Sequence, residues 1–322
     1  MIDRVLRIDK LAGPTSHDVV DRVRRLLGQK TVGHAGTLDP LGTGLLLVLA
    51  GRATKVSNLL ADLDKVYRVR VRLGVATDSG DREGAVIAER PWPDDLAARL
   101  PSVLARFQGE LMQVPPMASA LKVGGEPLHR LRRAGRVIER APRPIVVHEI
   151  TCLALALPEL ELRIRCGKGT YVRTLAADLA EALGTCGHLT ELRRESIGSF
   201  DLAQTVTSDE LQTLDRETVL ARAGLTIGEA LAHLPVIALS AAAADGVREG
   251  RLPAAELAAH ALPLVAGECA QLTAPDGELV AIVAAVAGGE GEEAMAVGAT
   301  RFRFWRVLAG ASWSRSAAKA SG

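Results

Sequence analysis

The twelve residues from Gly33 to Gly44 (Gly-His-Ala-Gly-Thr-Leu-Asp-Pro-Leu-Gly-Thr-Gly) carry the densest chemical signal in the chain. Glycines surround a single carboxylate, Asp39, and Pro40 restricts the backbone directly after it. Such a segment lets a bulky ligand come close to the main chain while one carboxylate is held stiffly. That carboxylate could serve as a nucleophile or as a general base. An ordinary Gly/Pro turn with Asp as turn former has the same composition, so the loop alone does not decide between the two.

The neighbouring segments have the periodicities needed to position it. From His17 to Leu27, apolar residues recur at 19, 20, 23, 26 and 27, which predicts a helix with Ser16 as N-cap and Gly28 as stop. A buried apolar segment is expected at 45–50. Tyr67 to Leu73 alternates with period two and reads as a strand with Tyr67 on its apolar face. Leu160 to Cys166 alternates likewise, with Leu160, Leu162, Ile164 and Cys166 inward. Gly167 to Thr170 reads as a tight turn, and a helix follows with Val172, Leu175, Leu179 and Leu183 on one stripe and Gly184 as its stop. Strands and helices alternate without a βαβ rhythm, which predicts an α+β fold. Beyond about residue 233, short strands and an Asp276-Gly277 hairpin signal predict a small β module, and 310–322 reads as a disordered tail.

With 322 residues the chain can hold two domains, and no apolar run approaches the roughly 18 residues of a membrane helix. Met1-Ile2-Asp3-Arg4 does not read as a signal peptide, so the expected location is cytoplasmic. Four scattered cysteines without a C-x-x-C pair argue against a disulfide framework and a zinc site. Net charge is only +1, but residues 1–200 carry +7, against −4 for 201–230 and −2 for 231–322. A basic N-terminal body is able to hold a polyanion.

Five segments, in order, resemble those of the bacterial uridine-55 tRNA pseudouridine synthases, the TruB family. They are Gly33 to Gly44; Lys65-Val66-Tyr67 with Leu73-Gly74 and Thr77-Asp78-Ser79-Gly80-Asp81; Gln113 to Lys122; Cys166 to Thr174; and His188 with Leu192-Arg193-Arg194. The similarity spans about residues 5–200. Gly42 stands where the family usually has Ala, Lys10-Leu11 where it has Lys-Pro, Gly167 where it has Ser, and His129 where it has Tyr.

The resemblance implies a catalytic domain over 1–232 with a mixed, largely antiparallel sheet, an RNA-clasping insertion at about 122–146, and a PUA-like RNA-binding domain over 233–309. It implies isomerisation of uridine-55 in the tRNA T-loop, with Asp39 catalytic, Arg173 paired to it, Tyr67 stacked on the uracil and Tyr171 near C5. His34 would fill the space left by the flipped base and Leu192 would wall the pocket. Lys122, Arg130 and Arg133 would contact phosphates. No metal or organic cofactor is needed; the expected partner is the tRNA T-stem-loop, and the expected state a monomer. An added tRNA-folding chaperone role and an RNA N-glycosidase are the alternatives. If the arginine run binds phosphates, changing Arg130, Arg133 and Arg136 to Ala should weaken RNA binding. In a salt titration of affinity, each lost contact should lower the log–log slope by about 0.7 to 0.9.

Overall fold

The computed structural model describes residues 1–117, 138–259, 264–286 and 301–308 in full, and the backbone alone of 122–123, 126–127, 295–297 and 300. The side chain of Lys122, together with Arg130, Arg133, most of the insertion and the 310–322 tail, lies outside the described residues. Two compact units emerge. One comprises Leu6–Val48 and Leu60–Ala223, the other Met1–Val5, Leu49–Leu59 and Gly224–Gly322.

The larger unit is built on a mixed sheet. Its strands are β1 (Arg4–Lys10), β2 (Val32–Ala35), β3 (Thr43–Ala50), β4 (Lys65–Leu73), β7 (Gly109–Gln113), β8 (Arg143–Ala156), β9 (Glu159–Cys166), β10 (Gly187–Ile197) and β11 (Val206–Thr207). A ribbon of β5 (Val75–Thr77) and β6 (Val86–Glu89) stands apart from it. The main path runs β11-β1-β3-β10-β4-β9-β8-β7, with β2 paired to β3. Pairs β1–β11 and β3–β10 are parallel, while β10–β4, β4–β9, β9–β8 and β8–β7 are antiparallel. This is the α+β arrangement that the irregular order of elements predicts.

Period two decides which face each side chain takes. Tyr67, Val69, Val71 and Leu73 of β4 join Leu160, Leu162, Ile164 and Cys166 of β9 in one core. That core is covered by helices α2 (Leu96–Arg106) and α3 (Val172–Ala182). On the opposite face, Arg68 pairs with Glu161, Arg70 with Glu191 and Arg163 with Glu195. These exposed pairs contribute at most about 1 kcal/mol each; they keep the face solvated.

Helix α1 spans Ser16–Leu27 and buries Val19, Val20, Val23 and Leu27. Gly28, in the left-handed conformation, stops it as expected, but its N-cap is Thr15 and not Ser16. Thr15 and Asp18 form a reciprocal capping box. The Ser16 hydroxyl is unavailable because it is buried and bonded to both the N–H and the C=O of Leu38.

The smaller unit carries a five-stranded sheet of β12 (Val236–Ala238), β13 (Cys269–Thr273), β14 (Leu279–Val286), β15 (Met295–Val297) and β16 (Thr300–Val307), in the order β12-β13-β14-β16-β15. The turn at Asp276-Gly277 joins β13 to β14, with Gly277 at φ 83° and the Asp276 carboxylate accepting from Glu278 N–H. Ile237, Leu257, Leu272, Val283 and Phe302 form its core. Among the described residues, no helix is long and apolar enough to cross a membrane.

Gly44 opens β3 at φ 100°, opposite Arg194 in β10. A Cβ there would stand 2.2 Å from the Arg194 carbonyl oxygen and 2.8 Å from its nitrogen. Strand pairing and the positive φ both require glycine. Gly44→Ala is expected to lower unfolding free energy by about 3 kcal/mol or more, read from urea denaturation.

Candidate active site

The Asp39 loop is irregular backbone between β2 and β3, so its peptide groups need partners from elsewhere. Buried side chains supply them. Arg194 donates to the carbonyls of Gly36 (3.1 Å), Thr37 (3.4 Å) and Leu45 (2.7 Å). Ser16 takes both backbone groups of Leu38, at 2.8 and 2.9 Å. The Lys10 ammonium donates to Leu11, Pro40 and Gly42 carbonyls at 3.1, 3.1 and 2.6 Å. Gly13 N–H also reaches Pro40 O, and Gly42 N–H closes onto Asp39 O, both at 3.0 Å. The loop backbone is clamped along its length, while the Asp39 side chain stays partly exposed.

Arg173, in the first turn of α3, meets that carboxylate. Its Nε donates to Asp39 Oδ2 at 2.8 Å and its Nη2 to Oδ1 at 3.2 Å, a two-point contact that fixes the carboxylate plane. Arg173 is only 5% exposed, against 33% for Asp39, so one face of the carboxylate stays open. The third nitrogen, Nη1, donates to Ser79 O at 2.7 Å and lies 3.8 Å from the buried Asp81 carboxylate. Asp81 is held by Ser79 Oγ at 2.6 Å and Glu83 N–H at 3.1 Å. The loop carrying them is pinned to β10 by Leu189 N–H to Gly80 O and Arg82 N–H to Leu189 O.

Around this pair stand Tyr67, 8% exposed, and Leu192, 6% exposed. Tyr67 stands opposite Arg194 in the β10–β4 pairing, and burial raises its pKa. Gly42 brings the loop against Leu192: a Cβ at 42 would lie 3.3 Å from Leu192 Cδ2, Leu38 Cδ2 and Asp39 O. Tyr171, half-buried, precedes α3, and the buried Gln113 amide clamps its backbone, accepting from its N–H at 2.8 Å and donating to its C=O at 3.1 Å. The arrangement can hold a planar ring beside one oriented carboxylate. Among the described residues, no group of three or more His, Cys, Asp or Glu could hold a metal ion.

Comparison with known proteins gives the family of this chain. Residues 24–172 match the model of the TruB family pseudouridylate synthase N-terminal domain, and 173–231 that of the tRNA pseudouridylate synthase B C-terminal domain. The tRNA pseudouridine synthase B of Aromatoleum aromaticum is 46% identical over 272 residues, covering 83% of this chain and 86% of that protein. The protein of the same name from Azoarcus sp. is 44% identical over 253 residues, covering 78% and 83%. The chain belongs to the TruB family. Its fold is shared with a chain in the crystal structure of a Cbf5-Nop10-Gar1 complex, with TM-score 0.68 at 24% identity over 95% of this chain and 85% of that one.

In this TruB-family chain, Asp39 and Arg173 touch, Tyr67 faces Arg194 across the β10–β4 pairing, and Leu192 packs against the Asp39 loop. His34, at the end of β2, is half-buried, and its Nδ1 is buried with no hydrogen-bond partner among the described residues. Burial, then Arg194 and His17, lowers its pKa, which favours the neutral ring. Three residues to which the sequence assigns no role at the site prove central: Lys10, Ser16 (expected only as a helix cap) and Arg194. A signal for Arg194 existed, since it stands two positions after Leu192 and period two puts both on one face of β10. Ser16 and Lys10 carried no such signal, because their partners are backbone groups of a loop distant in the chain.

Burial lowers the Lys10 pKa to about 8, against the attraction of Asp39, while an unfolded lysine stays near its ordinary 10.5. Below about 8 both states hold the proton and the burial penalty is felt in full. Between about 8 and 10.5 the unfolded state binds more protons, so the contribution of Lys10 to stability rises with pH. In urea unfolding at pH 7.5 and 9.5, the stability advantage of the parent over Lys10→Met should therefore grow, by on the order of 2 kcal/mol.

Proposed function

We propose that this protein converts uridine-55 of the tRNA T-loop to pseudouridine, with Asp39 as the catalytic carboxylate. The observation that carries the reading is the two-point Arg173–Asp39 pair at the tip of a fully anchored glycine-rich loop, in a chain whose curated relatives are named tRNA pseudouridine synthase B.

The chemistry asks little else of the protein. The N1–C1′ bond breaks, the uracil turns, a C5–C1′ bond forms, the C5 proton is lost and N1 regains one. Nothing is oxidised and no water is consumed, so no cofactor is needed. Asp39 acts as nucleophile on the sugar or as base at C2′. Arg173 aims the carboxylate, and Tyr67 stacks on the uracil so that the cleaved base stays bound. Tyr171 stands near C5, and Leu192 closes the apolar side. Flipping the base out of the T-loop costs a few kcal/mol; His34, neutral and half-buried, occupies the vacated space. Lys122, Arg130 and Arg133 contact the backbone phosphates. Residues 1–232 form the catalytic domain, and 233–309 a PUA-like module that grips RNA. The enzyme works in the cytoplasm as a monomer.

Asp39→Asn keeps the shape and loses the chemistry. It should abolish isomerisation while tRNA affinity changes by less than about tenfold, roughly 1.4 kcal/mol. With tRNA carrying tritium at C5 of uridine-55, the parent should release tritium to water and no free uracil. Free uracil appearing in step with substrate loss, without tritiated water, would indicate a glycosidase instead. Single-turnover activity of the Asp39→Asn protein above a few per cent would sink the assignment of Asp39.

A further inference from the structure

We infer that Arg194 is a positioning residue for this site: facing Tyr67 across the β10–β4 pairing, its guanidinium holds the backbone just before Asp39, so that carboxylate and aromatic platform are kept as one unit. The inference rests on the reading of Asp39 as the catalytic group.

The side chain of Arg194 is among the largest that are fully buried, with the residue 1% exposed. Every direction of its fork is used. Nε reaches Leu45 O in β3, Nη2 reaches Gly36 O and Nη1 reaches Thr37 O, while the strand pairing sets the residue opposite Tyr67. A guanidinium is planar with donors at fixed angles, so these bonds dictate where the acceptors lie relative to one another. Two of the acceptors are two and three residues before Asp39. Directly opposite Arg194 in the strand pairing stands Tyr67, whose ring borders the same site. Stability alone is a poor reason for this residue, because a buried cation loses hydration that an apolar side chain of similar volume would not.

The charge itself also has a consequence. Lys10, Lys65 and His34 all have lowered pKa values, mainly through burial and in each case helped by Arg194. Arginine keeps its proton where these groups tend to lose theirs. Burial raises the Tyr67 pKa, which keeps the phenol neutral.

The test uses the full-length chain with Arg194→Lys, Arg194→Gln, Tyr67→Phe and the Arg194→Lys/Tyr67→Phe double variant. Folding is followed by circular dichroism, tRNA affinity by filter binding, and chemistry by single-turnover tritium release. Lysine retains the charge without the fork; glutamine retains donors without the charge. Both variants should fold and bind tRNA within about threefold of the parent, with rates at least about 100-fold lower. The double variant should be no more than about threefold slower than the slower single, because the two residues face each other and hold the same site.

Rates within about threefold of the parent, or effects of the two changes that simply multiply, would overturn the inference. Failure of both Arg194 variants to fold would do so too, because it makes Arg194 a residue of the fold alone. A parent that releases no tritium, or an active Asp39→Asn protein, would instead overturn the functional reading beneath it.

Discussion

An irregular loop must bring one carboxylate to a substrate without the mutual hydrogen bonding that stiffens helices and strands. The Asp39 loop meets this constraint by giving its carbonyls to buried side chains from elements far apart in sequence: Lys10 from β1, Ser16 from α1 and Arg194 from β10. Buried peptide groups left without partners would cost more than these bonds gain, so the loop has little freedom to rearrange. Catalytic carboxylates benefit from such rigidity because geometry prepared before binding need not be created during the reaction.

Two arginines divide the labour. Arg173 faces the site and holds the Asp39 carboxylate through two of its nitrogens, while the third is tied to Ser79 and lies beside Asp81. Arg194 lies behind the loop, engages backbone carbonyls and stands opposite Tyr67. Both are almost wholly buried. Burial keeps water from competing for the acceptors, and the guanidinium keeps its charge under conditions in which buried lysines lose theirs. Lys65, lowered to about 8 beside the same arginine, illustrates the contrast.

The sheet connects these parts. The parallel pairing of β3 with β10 sets Gly44 against Arg194, close enough that only glycine fits, and so delivers the guanidinium beneath the loop. The antiparallel pairing of β10 with β4 puts Arg194 opposite Tyr67. Bulges in that pairing, between Leu189 and Glu191 and between Arg194 and Ser196, set which side chains of β10 turn inward. Ion pairs on the outer face leave that side wet, and the apolar face carries the core.

Much of this was legible in the sequence. Period-two and helical patterns located β4, β9, α1 and α3 and the face each one buries, because burial imposes its period on the chain itself. Glycine and proline around Asp39 marked the loop, and ordered motifs tied it to a family and singled out Asp39, Arg173, Tyr67 and Leu192. Local patterns could not say what holds the loop. Ser16 looked like a helix cap because Ser is a good one; its hydroxyl is instead committed to Leu38, a contact that exists only once α1 packs on the loop. Lys10 and Arg194 looked like ordinary charges because a sequence records charge but not desolvation. The residue types and their periodicity were determined by the chain alone. Which backbone carbonyls those residues would find, and hence how Asp39 is aimed, was decided by tertiary structure, because a hydrogen bond to a main-chain carbonyl leaves no mark on the identity of the residue that accepts it.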